Sequence, residues 1–232
     1  MITKLRNKLN FTSVLVASTF FLFSTLSSIT KAENRFFYQL GAGYVEGNSH
    51  STFVGSFTPA EFGGNIQGYR VDFGLGLSSE INKIKVDYIL SYSPDAFGNQ
   101  VDTTNSCPST SWECRVKIKD SLDAGVKFYL PLVYNAITPT VYLGVSNADI
   151  QKKVLYGVLP GNQTEHQRNW GAAAGLGLNY DVNKNTAISL DYSWTAYEKN
   201  IEIDFNNGDG SPELSSSRPE IHSLSLKLKK YF

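Results

Sequence analysis

The chain is poor in the residues that most often mark catalytic and metal centres: its 232 residues include three histidines and two cysteines. His50 and His166 stand among polar residues typical of solvated loops, His222 stands beside Ser223, and none falls in a recognisable catalytic spacing. A triad is defined by geometry and not by order along the chain, so a Ser, a His and an acid distant in sequence are the route left to hydrolytic chemistry. Solvated loop histidines are the plainer reading. One stretch, Asp204 to Glu213, is rich in oxygen ligands but departs from a calcium loop, with Gly208 where the third ligand belongs and Asp209 where the tight-turn glycine belongs. A turn of Asn, Gly and Asp explains it, and neither a metal nor a cofactor is expected. There is also no clustered basic patch of the kind nucleic-acid binding favours. Acids and bases balance at 21 each, yet Lys4, Arg6, Lys8 and Lys31 fall in the first 32 residues, which hold no acid, so the remainder is mildly acidic.

Long apolar runs are missing too, apart from one near the start. A basic segment (Lys4, Arg6, Lys8), an apolar stretch from about Phe11 to Leu26 and the small-residue step Thr30-Lys31-Ala32 give residues 1–32 the form of a cleaved secretory signal peptide. Ser13, Ser18, Thr19, Ser24 and Thr25 interrupt the stretch, which falls short of the ~20 apolar residues of a spanning anchor. Residues 33–232 are enough for one domain. No later segment is apolar enough for a spanning helix, so membrane residence has to come from strands.

What is present is alternation at a period of two. From Gln67 to Ser78, Tyr69, Val71, Phe73, Leu75 and Leu77 take one face while Gly68, Arg70, Asp72, Gly74 and Gly76 take the other. The same pattern runs through Phe36 to Val45, Lys83 to Ser93, Arg115 to Leu130, Ile137 to Ser146, Trp170 to Tyr180, Thr186 to Thr195 and His222 to Phe232. A bilayer-crossing strand takes ~9–11 tilted residues, and hydrocarbon offers its peptide groups no partners, so only a closed barrel satisfies such strands. The expected fold is all-β: an eight-stranded antiparallel up-and-down transmembrane β-barrel. The connections Ser79 to Asn82, Pro131 to Ala136 and Asp181 to Asn185 are short, whereas Glu46 to Ile66, Pro94 to Cys114, Asn147 to Asn169 and Ala196 to Ile221 are long. Short periplasmic turns and long extracellular loops are usual in such barrels, which places both termini in the periplasm. Tyr44, Tyr92, Trp170 and Trp194 suit one interfacial girdle, and Phe128, Tyr180 and Phe232 the other.

With its glycine-bearing strands, Leu40-Gly41-Ala42-Gly43-Tyr44 and Ala174-Gly175-Leu176-Gly177-Leu178-Asn179-Tyr180, and its terminal aromatic Phe232, residues 33–232 resemble the small eight-stranded outer-membrane proteins. That family includes the transmembrane domain of outer membrane protein A and the opacity-type surface proteins. The resemblance implies a cell outer membrane location with lipopolysaccharide around the barrel. It also implies that the last strand with Phe232 is a signal for the barrel-assembly machinery. Lys230 stands where that signal has an apolar residue, as a lysine snorkelling at the periplasmic rim would. No peptidoglycan-binding module follows Phe232, so a wall-tethering role is not carried over. Small barrels that deacylate lipid A resemble this chain less, since Ile221-His222-Ser223-Leu224-Ser225 lacks their His-x-Ser pair.

An eight-stranded barrel encloses space for side chains or one small ligand. The inward positions hold seven bases (Arg70, Lys85, Lys117, Lys119, Lys127, Lys227, Lys229) and four acids (Asp72, Asp87, Asp123, Asp191), with Tyr129, Tyr142 and Tyr231. Unpaired buried charge is costly, so an ion-paired network is expected. The excess of bases motivates a narrow anion-preferring pore as the alternative. Cys107 and Cys114, in the second long connection, reach an oxidising compartment on export and are expected to pair. A closure this short contributes ~2–3 kcal/mol at most in the chain-entropy model. It serves either to stiffen an exposed tip or to present Trp112 to a partner. The leading expectation is a non-enzymatic outer-membrane barrel anchoring four surface loops for envelope integrity or for contact with an extracellular ligand. A narrow porin or small-ligand transporter and a lipid-modifying enzyme are the alternatives.

Overall fold

The structure is a computed structural model that describes residues 34–54, 60–81, 83–94, 101–103, 112–131, 136–156, 163–198, 201–206 and 212–232. Among them the strands are β1 (Arg35–Val54), β2 (Ala60–Ile81), β3 (Ile84–Pro94), β4 (Val101–Thr103), β5 (Trp112–Tyr129), β6 (Ile137–Tyr156), β7 (Gln163–Asn183), β8 (Thr186–Tyr197), β9 (Ile201–Asn206) and β10 (Pro212–Tyr231). The order β1-β2-β3-β5-β6-β7-β8-β10 returns to β1, closing eight antiparallel strands into a barrel. Closure leaves no strand edge to face hydrocarbon.

The alternation read from the sequence sorts side chains as a transmembrane wall requires. Leu75 is 65 % exposed on the outside while Asp72, three positions away, is 1 % exposed inside. The girdle aromatics Tyr44, Tyr92, Trp170, Trp194, Phe128, Tyr180 and Phe232 are all exposed on the outer face. Tyr92 and Trp170 share one row through Leu122 and Asn147. At the end of β10, the Phe232 ring packs 5.6 Å from Tyr38, and Lys230 is exposed with its ammonium 3.2 Å from the Thr186 hydroxyl.

Two expectations are corrected. Three of the four long connections, all but Pro94 to Cys114, are largely strand: β1 stays paired with β10 out to Val54↔Leu214, and β6 with β7 out to Val154↔Gln163. Beyond the lipid band the outer face of a strand meets water, so the ladder persists without an apolar outer face to announce it. In this crown the eight-strand circuit opens. The β2–β3 ladder ends at Phe73↔Tyr92 and the β7–β8 ladder at Gly171↔Tyr197. Among the described residues β9, β10, β1 and β2 then form one sheet and β4, β5, β6 and β7 a second, with no ladder joining β2 to β4 or β7 to β9.

The second correction concerns phase. The β5–β6 register slips between Ile118 and Asp120, a β-bulge. One extra residue on a strand exchanges its faces. Below the bulge Ser121, Lys127 and Tyr129 are buried in the lumen as expected, but above it the buried residues are Val116 and Ile118. Lys117 therefore faces away from the lumen, and Lys119 is the residue the register skips. Lys117 leaves the inward set in which the unbroken alternation places it, whereas Lys119 still lines a lumen cavity beside Arg70 and Ser121.

Residues 1–33, which include the expected signal peptide, lie outside the described residues, as do Cys107, and so its expected disulfide with Cys114, and residues 207–211 of the Asn/Gly/Asp turn.

Candidate functional site

The lumen is filled in layers. At the short-turn end, Lys229 and Asp87 are 2 % and 0 % exposed and form an ion pair. The Tyr129 hydroxyl donates to the same Asp87 oxygen at 2.6 Å and accepts from the Lys229 ammonium at 2.7 Å. That ammonium also lies 4.4 Å from the Phe37 ring centre, and Lys85 lies 4.6 Å and 4.9 Å from the rings of Tyr129 and Tyr231. Stacked cations and aromatics of this kind attract one another strongly when water is excluded. Lys85 reaches Asp181, 4.0 Å away, at the mouth.

One layer further in, the Lys127 ammonium donates to both carboxylate oxygens of Asp191 at 2.8 Å, and Lys227 stands 3.5 Å from the same carboxylate. Above them Arg70 bridges two carboxylates, Nε on Asp72 and Nη2 on Asp123 at 2.6 Å. Ser93 donates to Asp72, and Ser121 donates to Asp123 at 3.2 Å. The Tyr142 ring lies across Gly125 and Gly144, where a Cβ at Gly125 would come within 2.5 Å of the Tyr142 hydroxyl. A larger residue there would push the ring off its place.

A lid closes the crown side. Val45, Ile66, Val116, Ile118, Ala148, Ile150, Tyr197 and Ile221 are buried together as one apolar cluster. The bulge contributes to this lid, because without it Val116 and Ile118 would face outward. The sequence carried part of the signal: Val45, Ile66 and Ile221 are apolar at inward positions near predicted strand ends.

The bases joined by ion pairs in the lumen are Arg70, Lys85, Lys127, Lys227 and Lys229, and the acids are Asp72, Asp87, Asp123, Asp181 and Asp191. Within these pairs five bases meet five acids, and Asp181 is the acid that the inward list read from the sequence leaves out. Between the layers lie cavities of about 40 Å³, lined among others by Gln39, Tyr142, Asp191 and Lys227, and about 30 Å³, lined among others by Val45, Arg70 and Ile118. These are spaces for a few water molecules. The buried Gln39 amide, which lines the larger, makes no hydrogen bond to another protein group.

His166 and His222 face outward. His222 Nδ1 lies 2.6 Å from the Tyr192 hydroxyl, whereas its neighbour Ser223 turns into the lumen, 2.7 Å from Ser193. His222 and Ser223 therefore stand on opposite faces of one wall. His166 lies 3.0 Å from Gln151 and 3.7 Å from Asp149 on the outside of the crown.

No family model matches the chain, and no curated protein matches it. Among solved structures, the chain is similar to Neisserial surface protein A (NspA) at 16 % identity, with 85 % of this chain and 97 % of that one covered and a TM-score of 0.42. It is similar to a major outer membrane protein from Thermus thermophilus at 10 % identity, covering 86 % and 100 % of the two chains with a TM-score of 0.48. It is similar to the outer membrane protease OmpT from Escherichia coli at 10 % identity, covering 85 % and 97 % with a TM-score of 0.42.

Proposed function

We propose that this chain is an exported outer-membrane protein without enzymatic activity, whose barrel anchors a surface crown used for envelope integrity or for contact with extracellular molecules. The observation that carries this reading is the lumen, layered with ion pairs from Lys229 up to Arg70 and capped by the apolar lid. The two cavities described above hold about 40 Å³ and about 30 Å³, far below the several hundred Å³ of an ordinary ligand pocket. A barrel so filled supports its ends rather than a passage. The strands that continue past the lipid band supply a paired, raised surface on which specificity can be built.

In this reading the short turns and both strand termini face the periplasm and the crown faces the exterior, as the contrast in connection length favours. Phe232, whose N–H donates to the Phe36 carbonyl at 2.9 Å, closes the strand that the barrel-assembly machinery would engage. The test is conductance of the refolded chain in a planar bilayer, with folding verified by a heat-shift gel. Folded protein that stays silent from low to high salt is the expected result. Steady channels whose ion preference changes when Arg70 or Lys127 is neutralised would overturn it in favour of a small porin.

A further inference from the structure

The bulge at Lys119 has an effect on the outside of the wall as well as the inside. Above it, three rows cross the outer face of β5, β6 and β7. Leu122, Asn147 and Trp170 form the lowest row, Asp120, Asp149 and Arg168 the next, and Lys117, Gln151 and His166 the third. Lys153 stands one step higher on β6. Directly beneath the lowest row lie Ala124, Val145 and Ala172 of the lipid-facing band. These rows face outward because Ile118, Ala148, Ile150 and Asn169, which alternate with them, are buried inside.

The polar belt above the lipid band is thus divided in sign. The β5–β6–β7 side carries Lys117, Lys153 and Arg168 with His166, against Asp120 and Asp149. Toward its crown end the β1–β8–β10 side carries Glu46, Glu198, Glu220 and His222, with no Lys or Arg among the described side chains there. Arg168 is held by two partners. Its Nη2 donates to Asp120 at 2.8 Å and its Nη1 to Asn147 at 3.1 Å, yet its side chain remains 55 % exposed. Two partners orient the guanidinium plane while more than half of the side chain stays open to solvent, an arrangement suited to a phosphate.

We propose that this outer face of β5, β6 and β7 is a docking surface for the phosphorylated headgroup of the lipid anchor of lipopolysaccharide. The inference rests on the outer-membrane reading above and names a partner within it. A headgroup phosphate lies at the boundary between acyl chains and water, the level at which Arg168 sits above Trp170 and Ala172. Arg168, Lys117 and Lys153 supply charge complementarity, and Trp170 with Leu122 supplies the apolar contact below. The acidic opposite side has no such complementarity, so the lipid is oriented to one side of the barrel.

The test uses the refolded chain and native mass spectrometry to count bound lipid, comparing bisphosphorylated lipid A with the same lipid after removal of both phosphates. The triple variant Lys117→Gln/Lys153→Gln/Arg168→Gln is compared with Arg168→Gln alone and with Glu46→Gln/Glu220→Gln on the opposite side, each shown to be folded by heat shift. Retention of bisphosphorylated lipid A is expected to fall about tenfold in the triple variant and several-fold in Arg168→Gln, as loss of charge-assisted contacts implies. The Glu46→Gln/Glu220→Gln variant is expected to retain it fully, and the dephosphorylated lipid to bind as weakly to the parent as to the triple variant. Folded triple variant that retains the lipid like the parent would overturn the proposal, as would equal retention of the two lipids. Displacement of the lipid by millimolar inorganic phosphate would reassign the surface to free anions and also overturn it. A barrel that is silent in bilayers yet indifferent to lipid phosphates sinks this inference alone and leaves the proposed function standing.

Discussion

The Lys127 ammonium lies 2.8 Å from both carboxylate oxygens of Asp191, although 64 residues separate them in the chain. The pair ties β5 to β8 across the lumen, and both side chains are buried. Removing Asp191 leaves the buried Lys127 charge uncompensated, so Asp191→Leu should cost about 3–5 kcal/mol, and Lys127→Met should cost less because Lys227 stays 3.5 Å from the Asp191 carboxylate. The double variant should cost clearly less than the sum. Urea unfolding of the three variants in lipid vesicles measures this, and simple additivity would show that the two groups do not stabilise each other.

The phase change at Lys119 is open to chemical reading. In a Cys107→Ser/Cys114→Ser background, a membrane-impermeant maleimide should label Lys117→Cys readily from outside and leave Ile118→Cys protected. Unbroken alternation reverses this order, since it turns Ile118 out and Lys117 in.

The lid should carry much of the stability on the crown side. Ile150 is fully buried at 0 % exposure among Val116, Ile118 and Ile221, so Ile150→Ala should cost about 2–5 kcal/mol through lost contacts and the cavity left behind. The readout is the urea midpoint with the slope unchanged.

The position of the lipid band can be checked on the last strand. Leu226 is 58 % exposed on the outer face, between Ala42 and Leu190 of the neighbouring strands. Arginine on a lipid face costs about 2–4 kcal/mol near the bilayer midplane. Leu226→Arg should therefore lower stability by that amount in vesicles and by much less in detergent micelles, where the charge reaches water.

A gain is expected at a turn. Lys83 adopts φ 69° in the two-residue connection between the paired Ile81 and Ile84. Left-handed backbone costs a side-chain-bearing residue about 1–2 kcal/mol, and Asn-Gly is the favoured two-residue hairpin sequence. Lys83→Gly, which makes Asn82 the first residue of that pair, should be neutral to stabilising by up to about 1 kcal/mol in the same unfolding assay. A loss of stability would mean that the lysine side chain contributes more than the backbone strain costs.

Much of the lumen was legible one residue at a time. Parity alone placed Arg70, Asp72, Lys85, Asp87, Lys127, Asp191, Lys227 and Lys229 on the inward face, because a lipid-facing strand cannot turn charge outward in hydrocarbon. Who meets whom was not legible. Lys229 reaches Asp87 and Tyr129 from strands 142 and 100 residues away, and those meetings depend on the register at which β10 closes onto β1. Asp181 escaped notice because it lies where the sequence pattern reads as a turn.

Within the lipid band, then, the sequence by itself determined which residues are strand and which face each presents. Hydrocarbon on one side and a narrow polar lumen on the other impose opposite demands at successive positions, and those demands are written as alternation. Tertiary structure decided the rest. Above the band water bathes the outer face, so the pairing of Asn48 with Glu220 or of Gln151 with His166 leaves no periodic trace. The bulge that sends Lys117 outward and seats Ile118 in the lid is a mismatch between two strands, and backbone pairing of two strands is not a property of either sequence alone.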